Sequence, residues 1–105
     1  MSDINVVVLS GVVANKPNLT MQKNGSRICL FNFLVIEEFE LKNGTEAEHP
    51  NYITIEVFGR NAEKYGVELI EGEHYTINGY LRVDIINNIE RTRVRAYHIQ
   101  KERRR

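Results

Sequence analysis

Two Asn-Gly dipeptides, Asn24-Gly25 and Asn43-Gly44, bracket a run of β-branched, aromatic and aliphatic residues from Arg27 to Phe39. Both residues of such a pair accept positive φ, which makes Asn-Gly the strongest short-range signal for a tight hairpin. A chain carrying that signal on both sides of a strand-forming run is committed to antiparallel pairing on both sides. Leu19–Lys23 therefore pairs with Arg27–Phe39 across the first turn, and Tyr52–Phe58 follows the second as a third long strand. Upstream, Asn5–Val13 is dense in valine, which favours the pleated backbone. Asn15, Lys16, Pro17 and Asn18 end that segment, because proline cannot donate to a ladder. The first half reads as a β-meander.

The period then changes. Between Asn61 and Leu69, Ala62, Tyr65 and Leu69 follow helical spacing, with Asn61 as N-cap and Glu63 in the first turn, where the helix dipole favours it. Gly66 shortens this to a helix of a few turns, and Gly72 ends it. Two more strands, His74–Ile85 and Arg91–Ile99, are joined by an Asn87-Asn88 turn. Three strands, one helix and two strands predict an all-β fold, the five-stranded Greek-key barrel called the OB-fold, with its short helix between strands three and four. Gly11, Gly59 and Gly79 interrupt strand patterns where a closing sheet needs a bulge or a corner.

With 105 residues the chain makes one domain, assigned to residues 1–100, followed by a basic tail at 101–105. A lone cysteine, Cys29, excludes an internal disulfide and a paired-cysteine metal site, which suits a reducing, cytoplasmic setting. No apolar run is long enough to span a membrane, and the N-terminus lacks the basic start and apolar stretch of a signal peptide. The net charge is zero, so any affinity for a polyanion rests on how charge is distributed. Glu37, Glu38, Glu40, Glu46 and Glu48 crowd the second hairpin against Lys42 alone. Arg91, Arg93, Arg95, Lys101 and Arg103–Arg105 make the C-terminal end basic against Glu102 alone.

Alternation assigns faces. Cys29, Phe31, Phe33 and Val35 share one side of the long strand, and Ile28, Leu30, Asn32, Leu34 and Ile36 the other. Both are largely apolar. One lines the barrel, and the other is a subunit interface or a ligand platform. Ile53, Ile55 and Val57 look like core, leaving Tyr52 and Phe58 on the opposite face, where they either stack bases or plug a subunit contact and cap the barrel end. Arg91, Arg93, Arg95 and Tyr97 share one face of the last strand and Thr92, Val94, Ala96 and His98 the other. Glutamates of a neighbouring strand or nucleic-acid phosphates are the two partners such an arginine row can have. No phosphate loop, nucleophile elbow or zinc-protease motif is present, and His49, His74 and His98 lie on separate elements. The sequence therefore reads as non-catalytic, with no cofactor and no metal.

Asn5-Val-Val-Val-Leu-Ser-Gly11, Pro17 and Asn24-Gly25, then Val57-Phe-Gly-Arg-Asn-Ala-Glu63, Glu71-Gly72 and Ile77-Asn-Gly-Tyr-Leu-Arg82, resemble the motifs of bacterial single-stranded DNA-binding proteins (SSB). The spacings fit from Ile4 to about Ile99. The resemblance implies an OB-fold homodimer or homotetramer that binds single-stranded DNA without sequence preference in replication, recombination and repair. It places base-stacking aromatics on Phe39, Tyr52 and Phe58, with a fourth position on Ile86, which is not aromatic. It places basic contacts on Arg60 and Arg82, and puts Glu40 where the family often has a basic residue. Where the family carries an acidic-tipped tail this sequence ends in Arg-Arg-Arg, which implies either a shortened chain or a tail-less relative such as primosomal replication protein N, while the helix at Asn61–Leu69 resembles the tetrameric branch.

The expected contacts are then stacking on Phe39, Tyr52 and Phe58, with phosphates on Arg60, Arg82, Arg91, Arg93, Lys23 and Lys42. Val6, Val8, Ile28 and Leu30 are the candidates for contact between copies, and replication or repair proteins are possible partners. The rival reading is an OB-fold interaction or replication-restart accessory protein whose acidic hairpin and apolar faces bind other proteins.

Overall fold

A computed structural model describes residues 2–102. Arg103–Arg105, most of the expected basic tail, lie outside the described residues. The elements are β1 Val7–Val13, β2 Asn18–Met21, β3 Arg27–Glu40, β4 Glu46–Phe58, α1 Arg60–Glu68, β5 His74–Ile86 and β6 Ile89–Lys101. The strands run β1-β5-β6-β4-β3, and a further β1–β3 pairing closes them into the five-stranded OB barrel. β2 is a short extra strand paired to β3 alone. β4 and β6 pair in parallel over Ile55–Val57, and the other pairings are antiparallel. α1 bridges β4 and β5, between the third and fourth barrel strands as the sequence predicts.

Both Asn-Gly turns fold alike. Gly25 and Gly44 take φ of 87° and 84°, and Asn24 and Asn43 each accept, through Oδ1, the N–H two residues on at 2.9 Å. Asn87 and Asn88 both adopt positive φ, giving the two-residue turn between β5 and β6. The barrel interior holds Val13, Cys29, Phe31, Phe33, Ile55, Val57, Ile77 and Val94, as alternation predicts. Burial pushes the Cys29 thiol up, away from thiolate chemistry. Ala62, Tyr65 and Leu69 seat the helix on this core. The Tyr65 hydroxyl accepts from Ile99 N at 3.1 Å and that of Tyr75 from Ile70 N at 3.0 Å, so both buried rings keep their polar ends satisfied.

Several boundaries differ from the sequence expectation. β4 begins at Glu46 rather than Tyr52, because pairing with β3 runs to the hairpin tip, Glu40 opposite Glu46. Pro50 is accommodated there since β6 pairs with β4 only farther on, leaving this stretch an edge. The helix is capped by Gly59 at φ 74°, not by Asn61, and no side chain bonds the cap. Gly59 thus turns a strand into a helix instead of turning a sheet corner. Leu69, not Gly72, is the C-cap. Gly72, at φ 91°, instead donates its N–H to Val13 O at 2.9 Å and starts the return to β5. Gly79 sits at a bulge where Gly79 faces Ala96 but Asn78 faces His98. The unpaired residue is Tyr97, so alternation slips there: Ile99 turns inward and His98 is exposed instead of joining Val94 and Ala96.

Candidate nucleic-acid interface

The outer face of the barrel is built from register. Across β3 and β4 the facing pairs are Leu34–Tyr52, Asn32–Thr54, Leu30–Glu56 and Ile28–Phe58. Glu56 in turn lies beside Arg95 of β6. Arg82 and Asp84 of β5 face Arg93 and Arg91. One continuous surface therefore carries Tyr52, Phe58, Arg82, Arg91, Arg93 and Arg95. Tyr52 is 67% exposed, a ring standing on the surface beside its strand partner Leu34. Phe58 is half-buried, and the Arg95 guanidinium lies 4.5 Å from its ring centroid.

A shallow groove on this face is lined by Thr20, Ile28, Leu30, Thr54, Glu56, Ile86, Arg91 and Arg93. Ile86, where the family resemblance expects an aromatic, thus stands in the same groove as two arginines. Arg91 is exposed, as is Arg60 at the first position of α1. Lys23 and Lys42 are exposed beside the two hairpin turns.

The electrostatics of the face rest on two carboxylates that alternation alone does not reveal. Glu56 is the one buried charged residue among the described residues, with its Oε2 2.9 Å from Arg95 Nε and 3.1 Å from Arg93 Nε. Asp84 Oδ2 meets Arg93 Nη2 at 2.5 Å and Arg82 Nε at 3.6 Å. The hydrogen bond from Arg93 holds the Asp84 carboxyl below the usual carboxylate range; loss of water works against this, and the charges of Arg93 and Arg82 reinforce it. Desolvation opposes the charged form of Arg93 and Arg95, but interactions with Asp84 and Glu56 at Arg93, and with Glu56 and Tyr80 at Arg95, outweigh it and raise both above the usual value. Of the two partners open to the arginine row, neighbouring carboxylates take Arg93 and Arg95 in the free protein.

The expected site residues do not all converge. Phe39 faces Ala47 on the projecting β3–β4 arm, and by alternation lies on the opposite side of the ribbon from Tyr52 and Phe58. Glu38 faces Glu48 and Glu40 faces Glu46 on that arm, all exposed. Of the expected contacts between copies, Val6 and Val8 are 67% and 63% exposed, and Leu30 is half-buried. Ile28 departs from the expectation. Only 6% of it is exposed, because Phe58 and Thr20 flank it across both strand pairings, so it has little area to give a second chain. Sequence reasoning left Glu56 and Asp84 out of the site. The available signal was the placing of Glu56 between Tyr52 and Phe58 on one strand face, beside the strand that carries the arginines.

The sequence matches the Single-strand binding protein family over residues 4–104. The chain belongs to that family. A search of curated proteins returned no match. Among solved structures it is similar to the wild-type single-stranded DNA binding protein from Thermus aquaticus, with 26% identity and a TM-score of 0.83 over 95% of this chain and 50% of that one. The chain therefore spans about half the length of that relative. Similar folds, at identities that speak for the fold alone, occur in two further proteins. The small single-stranded DNA-binding protein from Streptomyces coelicolor has a TM-score of 0.70 and 21% identity, over 97% of this chain and 96% of that one. A Plasmodium falciparum SSB complex with ssDNA has a TM-score of 0.86 and 16% identity, over 98% of each chain. Among the described residues no helix is long and apolar enough to cross a membrane.

Proposed function

We propose that this protein binds single-stranded DNA without sequence preference and without catalysis, serving replication, recombination and repair in the cytoplasm as a homo-oligomer. The observation that carries the reading is the outer face itself, where exposed Tyr52 and arginine-backed Phe58 lie in one strand row flanked by Arg82 and Arg91, with exposed Arg60 opening α1 two residues after Phe58. A base has a π-face whatever its identity, so stacking on such rings tolerates any sequence. Phosphates between stacked bases fall to the neighbouring guanidinium groups, which match them through a bidentate fork. Arg93 joins them only by exchanging its carboxylate partners, and Lys23 and Lys42 serve strands that reach the hairpin tips. The Thermus aquaticus protein, named for the same ligand, supports the reading.

The test is a fluorescence-anisotropy titration of labelled oligo-dT and of a matched duplex, at about 50 and about 200 mM salt. Tight binding that favours the single strand, ignores base sequence and weakens with salt is the expected result. No binding at the lower salt refutes the reading. That outcome would favour an OB-fold devoted to protein contacts, for which the acidic rows of the β3–β4 arm are the surface to examine.

A further inference from the structure

A carboxylate on the outer surface of a barrel has no need to be buried, and burying one is costly unless it is well paired. Glu56 is nevertheless 95% covered at its side chain, and what covers and pairs it are the arginines of the proposed binding face. Both Nε groups point at one oxygen, Oε2. Asp84 takes the far end of Arg93. Arg82, Arg93 and Arg95 thus meet Glu56 and Asp84, three positive groups against two negative, with one positive charge in excess. The arrangement follows from register, since Glu56 is the strand partner of Arg95 and Arg82 that of Arg93.

We infer that Glu56 and Asp84 are built-in counter-ions that occupy Nε and Nη2 of Arg93 and Nε of Arg95, making the face selective for strands with exposed bases over polyanions in general. A phosphate reaches these guanidinium edges only by displacing a carboxylate. The freed carboxylate then attracts a cation from solution, which cancels the cation released from that phosphate. The contact therefore adds little counterion release, the term that drives sequence-independent binding to any polyanion. Stacking on Tyr52 does not depend on the exchange, so a base-bearing strand keeps that part of its affinity. A sulfated or phosphorylated chain without bases has nothing to offset the displacement.

The inference rests on the single-stranded-DNA reading, and one experiment separates the two. Wild type, Glu56→Gln and Asp84→Asn are titrated with oligo-dT and with heparin across 50–200 mM salt, each variant first checked for its thermal transition. Glutamine keeps the shape and an acceptor oxygen while removing the charge. Asp84→Asn changes a more exposed residue and covers the case that Glu56→Gln does not fold. The expected result is a salt slope for oligo-dT steeper by about 0.7 per arginine released. Heparin affinity should rise at least tenfold more than oligo-dT affinity. Wild type that binds oligo-dT, with folded variants whose slopes and heparin preference match it, overturns this inference alone. No binding of oligo-dT by wild type or either variant overturns both.

Discussion

Gly66 and Gly79 both interrupt regular elements, and their surroundings give them opposite meanings. A Cβ at Gly79 would lie 2.2 Å from the Arg95 carbonyl oxygen, a backbone atom fixed by the barrel. Gly79→Ala is expected to destabilise by about 1–3 kcal/mol or more, read as a lower denaturation midpoint. A Cβ at Gly66 would meet the Leu19 side chain at 3.5 Å, an ordinary contact, and Gly66 has no positive φ to lose. Gly66→Ala should therefore stabilise by about 0.5–1 kcal/mol, the usual helix-interior difference, and an unchanged or lower midpoint would contradict this. Gly79 was legible in the sequence as a strand interruption. The identity of its neighbour was not, because that depends on which strand crosses beside it. Tyr52 is the residue on which the proposed stacking turns. Tyr52→Ala should leave the thermal transition in place while weakening oligo-dT binding by about 1–3 kcal/mol, roughly five- to over a hundredfold. Unchanged affinity in the folded variant removes Tyr52 from the stacking surface.

At the scale of elements, the sequence announced an acidic second hairpin but not how its charges meet. Register supplies that, since Glu38 faces Glu48 and Glu40 faces Glu46 along the arm. Like charges directly opposite on a ladder are destabilising, whereas an opposite pair contributes about 0.2–1 kcal/mol. Glu46→Lys should accordingly raise the melting temperature slightly and make oligo-dT binding tighter at low salt, with no gain at high salt. The same limit explains why the arginine row was only half legible. Alternation put Arg93 and Arg95 outward, but their pairing with Glu56 requires strands distant in sequence to lie side by side. Asp84 gives that network a pH signature. Its folded carboxyl is held below the ordinary value, so its contribution is fully present above about pH 4 and is lost as the pH falls through the lower folded value. Asp84→Asn should therefore flatten the acid limb of the stability profile and leave the neutral region's pH dependence alone. An acid limb identical to that of wild type would show that Asp84 does not contribute to it.

The whole molecule closes its barrel yet leaves one strand incompletely covered. β1 pairs with β5 from Val7 to Val12 but meets β3 only at Val12 and Val13, so among the described residues no strand pairs with the other edge of its first half, Val7–Leu9. Val8 stands outward on that half, Val6 precedes it, and the Asn5 side chain extends the ladder by exchanging hydrogen bonds of 2.7 and 2.8 Å with the Leu81 backbone. An edge at Val7–Leu9 that pairs with no strand among the described residues and carries exposed valines is a template for another strand, and no proline or lysine lies between Asn5 and Val13. We propose that a second copy covers this edge, with Val6 and Val8 at the contact and Ile28 excluded by its burial. Val6→Asp with Val8→Asp would leave the inward residues Val7 and Leu9 in place while putting like charges at the centre of the contact. Sedimentation equilibrium should show wild type as a dimer or tetramer, and the double variant as a monomer with its far-ultraviolet spectrum retained. The monomer should also bind oligo-dT more weakly, because strands then engage one face instead of several linked ones. Wild type that sediments as a monomer at tens of micromolar would remove this interface. A double variant that keeps the wild-type mass would move the contact away from β1.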